Sequence, residues 1–186
     1  MKRFFDFTLA IILIIALFGV MLGIALAIKL SSKGPVLYWS DRVGRENIIF
    51  RMPKFRSMHT GTPSLASHLM SDPTSFLTPM GAFLRRSSFD ELPQLYSVLS
   101  GKMSFVGPRP ALFNQDDLIK LRSDKGVLHL KPGVTGWAQV NGRDELSIEK
   151  KVVYEEEYLR KRSFVFDLYI IWLTLIKVLK GDGVSH

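Results

Sequence analysis

Asp90 and Glu91 stand side by side in Ser87-Ser88-Phe89-Asp90-Glu91-Leu92-Pro93, just downstream of Arg85-Arg86. Leu92, Leu95, Tyr96 and Leu99 follow at the i, i+3, i+4, i+7 spacing of one helix face, and Gly101 ends the run. Pro93 lacks an amide proton and belongs in a first turn, so the spacing predicts a helix beginning between Phe89 and Glu91. Both carboxylates then sit at the positive end of that helix, where free N–H groups also attract anions. An acidic pair among arginines could hold a divalent metal or attack phosphorus as a carboxylate nucleophile. Plain first-turn capping explains the same two residues, and the segment alone does not separate these readings.

Two further stretches carry polar chemistry. Val106-Gly107-Pro108-Arg109-Pro110 fixes an arginine between two prolines, an arrangement suited to bidentate phosphate recognition or, more plainly, to a surface turn. Trp137, Gln139, Asn141 and Arg143 lie in a segment of turn residues that starts at Lys131-Pro132-Gly133. As a strand, the segment puts all four on one face, ready to stack on and hydrogen-bond a base or sugar; a structural hairpin is the alternative. There is no Walker phosphate loop, G-x-G-x-x-G, G-x-S-x-G, H-E-x-x-H or Asp-x-Asp, and the four histidines show no ligand spacing. With no cysteine in the chain, thiol nucleophiles, disulfide scaffolds and Cys-ligated metals are excluded.

The elements that must position these residues are unevenly apolar. The 186 residues suit one domain, with a net charge of +8 and a pI near 9.8 that attract polyanions. Basic residues are spread along the chain and not interleaved with aromatics, which argues against a nucleic-acid platform. A mean hydropathy of +0.14 beside such charge points to a concentrated apolar segment. Residues 7–28 supply it, with no charge and only Thr8 polar. As a helix they reach about 33 Å, enough for a hydrocarbon core of about 30 Å and longer than a signal-peptide h-region. Lys2 and Arg3 precede the run, while Lys29, Lys33, Arg42 and Arg45 follow it, so both ends carry cytoplasmic charge. A helix that re-enters the same face answers that pattern, with Gly19 and Gly23 giving flexibility; the same glycines equally suit a packing face on a spanning helix.

Val36-Leu37-Tyr38-Trp39 and Ile48-Ile49-Phe50 read as paired strands with a turn over 42–47, and 59–79 reads as a long, poorly ordered surface loop. Residues 164–176 form an apolar stretch too short to span. Asp167, Thr174 and Lys177 share one stripe of it, so it is a core helix or, as Trp172, Lys177 and Lys180 suggest, one lying in a membrane interface. No repeat or second domain is visible. The fold class is α+β, mainly helical, with a membrane helix over 1–30, a catalytic domain over 31–186, interfacial helices (one over 163–180) and a small β-sheet.

The sequence resembles the bacterial monotopic phosphoglycosyl transferases, which initiate glycan assembly on polyprenol phosphate. Four blocks carry the likeness: Lys54-Phe-Arg56-Ser-Met58, the stretch from Leu84 to Leu95, Gly101-Lys-Met-Ser-Phe-Val-Gly-Pro-Arg-Pro110, and Pro132-Gly-Val-Thr-Gly-Trp-Ala-Gln-Val-Asn-Gly-Arg143. The likeness runs from Lys2-Arg3-Phe4-Phe5-Asp6 to Gly183-Val184-Ser185, and the chain looks like the minimal catalytic-core form. It implies a ping-pong reaction at the cytoplasmic face of the bacterial plasma membrane. Asp90 attacks the sugar-bearing phosphate of a UDP-sugar, an N-acetylated hexosamine donor by the resemblance, and UMP leaves. Polyprenol (undecaprenyl) phosphate then takes the phosphosugar. Glu91 matches the second member of the dyad, and magnesium (Mg2+) is the implied metal at Asp90 and Glu91. Lys54, Arg85 and Arg109 match phosphate-site positions; Trp137, Gln139, Asn141 and Arg143 fall in the nucleotide- and sugar-side block. Glu155 stands where family members often carry Asp. The implied products feed O-antigen, capsule and other polysaccharide assembly, and a homodimer is left open. One departure is Phe18-Gly19, where relatives commonly break the membrane helix at Ser-Pro. The rival from another class is a non-catalytic, membrane-anchored protein binding nucleotides or anionic lipid.

Overall fold

In the computed structural model, residues 1–62, 72, 74–142 and 145–180 are described. Helix α1 (Lys2–Ser31) absorbs the apolar run and its charged flanks without interruption at Phe18-Gly19. By length and composition it could cross a membrane. Both of its ends, however, are fixed to the same body. At the first turn, Lys2 Nζ pairs with Asp167 Oδ2 at 2.6 Å, and Arg3 donates to the carbonyls of Val98 and Leu99 at 2.6 and 2.7 Å. Asp6 accepts from Phe105 N–H at 3.2 Å. At the last turns, Ile24 and Ile28 pack with Phe55 and Leu84, while Arg56 donates to Ser32 Oγ at 2.7 Å and to the Lys33 carbonyl. Among the described residues, no atom from outside the helix turn would lie within 4 Å of a Cβ on Gly19 or Gly23, so the pair is not a packing face against them.

The predicted strand pair is present and longer than the apolar runs that announced it: β1 (Leu37–Val43) is antiparallel to β2 (Ile49–Phe55). The turn narrows to 44–48, where Gly44 N–H donates to Ile48 O at 2.9 Å and Glu46 and Asn47 adopt positive φ. The register sets Tyr38 opposite Lys54, Ser40 opposite Met52 and Arg42 opposite Phe50. Directly opposed residues share a face, so Arg42 and Lys54 lie on the side that carries buried Phe50 and Met52 into the core.

Helix α2 (Gly81–Arg86) leads through Ser88, at φ +57°, into a tight 3-10 segment, Phe89–Gln94, that continues as α3 (Leu95–Leu99). Strand β3 (Ser104–Val106) pairs in parallel with β4 (Gly133–Thr135), with helix α4 (Asp116–Asp124) between them. Gly107 and Gly133 allow this join: a Cβ on Gly107 would lie 2.1 Å from Lys131 O, and one on Gly133 2.2 Å from Gly107 N. Helix α5 (Trp137–Val140) follows, then α6 (Ile148–Lys161), capped by Ser147, and α7 (Phe164–Lys180).

One expectation changes here. Residues 137–141 are a helical turn and not a strand, because Gly136 ends β4 and Trp137 turns inward against Tyr154, Phe166 and Tyr169. The stripe on α7 faces the body: Asp167 is buried, accepting from Tyr158 at 2.6 Å, and Thr174 shares a 2.7 Å bond with Thr135. Its apolar side is turned outward, with Val165 75% and Trp172 60% exposed, so α7 is no ordinary core helix. Much of the predicted loop over 59–79 lies outside the described residues. Its two ends are pinned, by His59 N–H to Phe76 O at 2.8 Å and Thr78 N–H to Ser57 O at 3.0 Å.

Candidate active site

Asp90 and Glu91 occupy the first turn of the 3-10 segment, where the sequence places a helix start; the geometry is tighter than α because Pro93 sits within it. Asp90 is 8% exposed. Strand β2 runs past this segment and delivers Lys54, whose Nζ lies 2.8 Å from Glu91 Oε1 and 3.9 Å from Asp90 Oδ2. Arg109, from the proline-braced loop after β3, reaches the same Glu91 Oε1 with Nη2 at 3.1 Å. Arg85, at the end of α2, donates through Nε to Ser57 Oγ at 3.2 Å and acts electrostatically on Asp90. Thus four separate elements bring Lys54, Arg85, Asp90, Glu91 and Arg109 together.

Burial pushes the Asp90 carboxyl above its ordinary value. Glu91 adds to that rise, while Lys54, Arg85 and Arg109 oppose it. Arg85 is lowered chiefly by its own burial. Arg42 joins this group, although its sequence position suggested only a charge flanking the membrane helix. Burial first and Arg109 second lower its pKa to about 10, against Glu91, so it remains a cation at neutral pH. Alternation puts Arg42 on the face of Tyr38 and Ser40, but only the register against Phe50 and Met52 makes that face the inward one. Four cations around two carboxylates leave a local positive excess suited to a phosphate-bearing ligand.

Behind Arg109 lies a buried ion pair. Arg122 on α4 donates from Nε and Nη2 to Glu155 on α6 at 2.8 and 2.5 Å, and Nη2 also donates to Arg109 O at 3.0 Å. Glu155 therefore braces the arginine loop, a role that its sequence position did not disclose.

The side chains read as nucleotide ligands bond within the body. Trp137 Nε1 donates to Glu157 at 2.8 Å, Gln139 Nε2 to Val134 O at 3.0 Å and Asn141 Nδ2 to Trp137 O at 2.8 Å. Gln139 Oε1 is buried without a partner among the described residues. Arg143 lies outside the described residues. The described residues contain no group of three or more His, Cys, Asp or Glu able to hold a metal. Asp90 and Glu91 are a two-carboxylate oxygen set of the kind Mg2+ accepts when water and substrate phosphate complete its shell.

The family described as bacterial sugar transferase matches residues 1–181. The chain belongs to this family. All the residues assembled above fall within the matched range. Among relatives of this chain, the UDP-glucose:undecaprenyl-phosphate glucose-1-phosphate transferase of Escherichia coli K12 is 41% identical, over 95% of this chain and 40% of its own length. The uncharacterized sugar transferase EpsL of Bacillus subtilis is 39% identical, over 100% of this chain and 91% of its own length. The galactosyl transferase CpsE of Streptococcus agalactiae is 38% identical, over 99% of this chain and 43% of its own length. The chain thus spans about two fifths of two of these relatives and nearly all of the third.

Proposed function

We propose that the protein transfers a hexose-1-phosphate from a UDP-sugar to undecaprenyl phosphate, with Asp90 as the nucleophile. The observation that carries the reading is Asp90 itself: a buried carboxylate ringed by Lys54, Arg85 and Arg109 in a chain of the sugar transferase family. Asp90 attacks the sugar-bearing phosphorus, an O–P bond forms, the bridging P–O bond breaks and UMP departs with its electron pair. An oxygen of the lipid phosphate then attacks the same phosphorus and frees the carboxylate. Transfer of this kind needs positioning and charge neutralisation, which the surrounding cations offer. Glu91 holds Lys54 and Arg109 in place through one oxygen. Asp90 and Glu91 are the residues to hold Mg2+, which when bound adds charge neutralisation at the phosphates.

Relatives named for glucose and galactose support a hexose donor in place of the N-acetylated hexosamine that the resemblance implied. Trp137, Gln139 and Asn141 serve the nucleotide side only by giving up their bonds to protein. The outward apolar faces of α1 and α7 enter the bilayer, and both ends of α1 stay on one side of it because they are tied to one body. That side is cytoplasmic by its flanking charge.

UMP release from UDP-glucose, UDP-galactose and UDP-N-acetylhexosamines tests the reaction and ranks the sugars. Asp90→Asn is expected to abolish release and to leave no phosphosugar adduct detectable by mass spectrometry; undiminished turnover removes Asp90 from its role. Release that survives chelation removes the metal.

A further inference from the structure

Arg42 stands in the catalytic centre with most of its guanidinium donors unspent. Its Nε donates to Ser40 Oγ at 3.0 Å and its Nη1 to Pro110 O at 3.1 Å, two of the five donors available. Among the described residues, the carboxylates of the centre pair with Lys54 and Arg109, and none lies within ion-pair distance of Arg42. Its backbone is tied to the arginine loop as well: Val43 N–H donates to Ala111 O at 2.9 Å, and Arg42 bridges to Leu112. Arg42 and Arg109 are therefore held as one unit, with Arg109 close enough to disfavour the charge on Arg42. A desolvated cation beside another is costly until an anion completes the arrangement.

The position of that anion follows from the neighbours. Across the strand pair Arg42 faces Phe50 and Lys54 faces Tyr38, so the two cations of this inward face stand four residues, roughly 13 Å, apart along the strands. Lys54 reaches Asp90, whereas Arg42 turns to the Pro110 carbonyl of the arginine loop.

We propose that Arg42 binds the donor phosphate that leaves as UMP, closing with Arg109 a two-guanidinium clamp one phosphate removed from Asp90. This assignment rests on the UDP-sugar reaction proposed above. A guanidinium fork matches phosphate geometry, and Ser40 and Pro110 O fix its plane in advance.

Steady-state kinetics on the full chain, with UDP-glucose and UDP-galactose as donors and UMP as inhibitor, test the proposal. Arg42→Gln is expected to raise the UMP inhibition constant and the donor KM roughly ten- to a hundredfold, the range for lost charged hydrogen bonds. The KM for undecaprenyl phosphate is expected to stay within about twofold, since the lipid attacks after UMP has gone. Arg42→Lys keeps the charge but not the fork and is expected to fall between wild type and Arg42→Gln. Because it can still donate to Pro110 O, it also serves if Arg42→Gln fails to fold. An unchanged UMP inhibition constant in either folded variant overturns the assignment. Equal weakening toward donor and lipid does so too, marking Arg42 as a mere support of the Pro110 loop. Wild-type protein that releases no UMP overturns the parent reading and this one with it, which distinguishes the two failures.

Discussion

Asp90 is held where its charge is disfavoured. Burial raises its pKa from the ordinary 3.8, with Glu91 adding to the rise and three cations working against it. A carboxyl whose folded pKa is raised binds its proton more tightly in the folded chain than in the unfolded one. As pH climbs from below 3.8 through the folded value, the unfolded chain gives up its proton first and stability falls. Asp90→Asn removes this titration at nearly constant shape. We expect the variant to unfold at a higher temperature than wild type at pH 7, with the gap closing below pH 3.8; a lower melting temperature at pH 7 would mean that the Lys54 contact outweighs burial. The residue pair was legible in the sequence because acidic residues before a proline mark a first turn. Its protonation balance was not, since Lys54 and Arg109 arrive from elsewhere in the chain and burial is set by what packs over the pair.

The elements behind the site share one buried fastening. Arg122 on α4 and Glu155 on α6 join across 33 residues of sequence, and Arg122 also holds the carbonyl of Arg109. Breaking such a pair from one side strands a buried charge, at about 3–5 kcal/mol. We expect Arg122→Met and Glu155→Leu each to lose stability on that scale, and Arg122→Met/Glu155→Leu to lose clearly less than the two together. Urea unfolding of the four proteins reads this directly, and simple additivity would mean that the pair carries no coupling. Periodicity found the hairpin and the 3-10/α3 run because their residues pair or stack with near neighbours. It failed at 137–141, where Trp137 is drawn into a cluster with Tyr154, Phe166 and Tyr169 and the chain coils to follow it.

At the scale of the whole molecule, α1 and α7 turn apolar faces outward from a charged body. Their inward faces are fastened by polar groups: half-exposed Lys2 joins buried Tyr158 and Asp167 and the Val106 carbonyl in one knot. Burial and the Asp167 bond both push the Tyr158 hydroxyl upward in pKa, so it stays a neutral donor there. Lys2→Cys and Lys33→Cys, introduced singly into a chain without native cysteine, test the path of α1 in membranes. Both are expected to react with a membrane-impermeant thiol reagent from the cytoplasmic side alone. Labelling from opposite sides would establish a spanning helix.

The sequence by itself determined the uneven placement of apolar residues, the acidic pair at a helical first turn and the proline-held arginine. Each is a local property of composition or spacing and needs no distant partner. Only the tertiary structure decided that Arg42 turns inward beside Arg109, that Glu155 braces the arginine loop and that α7 shows its apolar side outward. Those outcomes depend on which surfaces meet. Strand register, a close glycine contact and buried ion pairs join residues that the chain holds far apart, and one-dimensional periodicity carries no record of them.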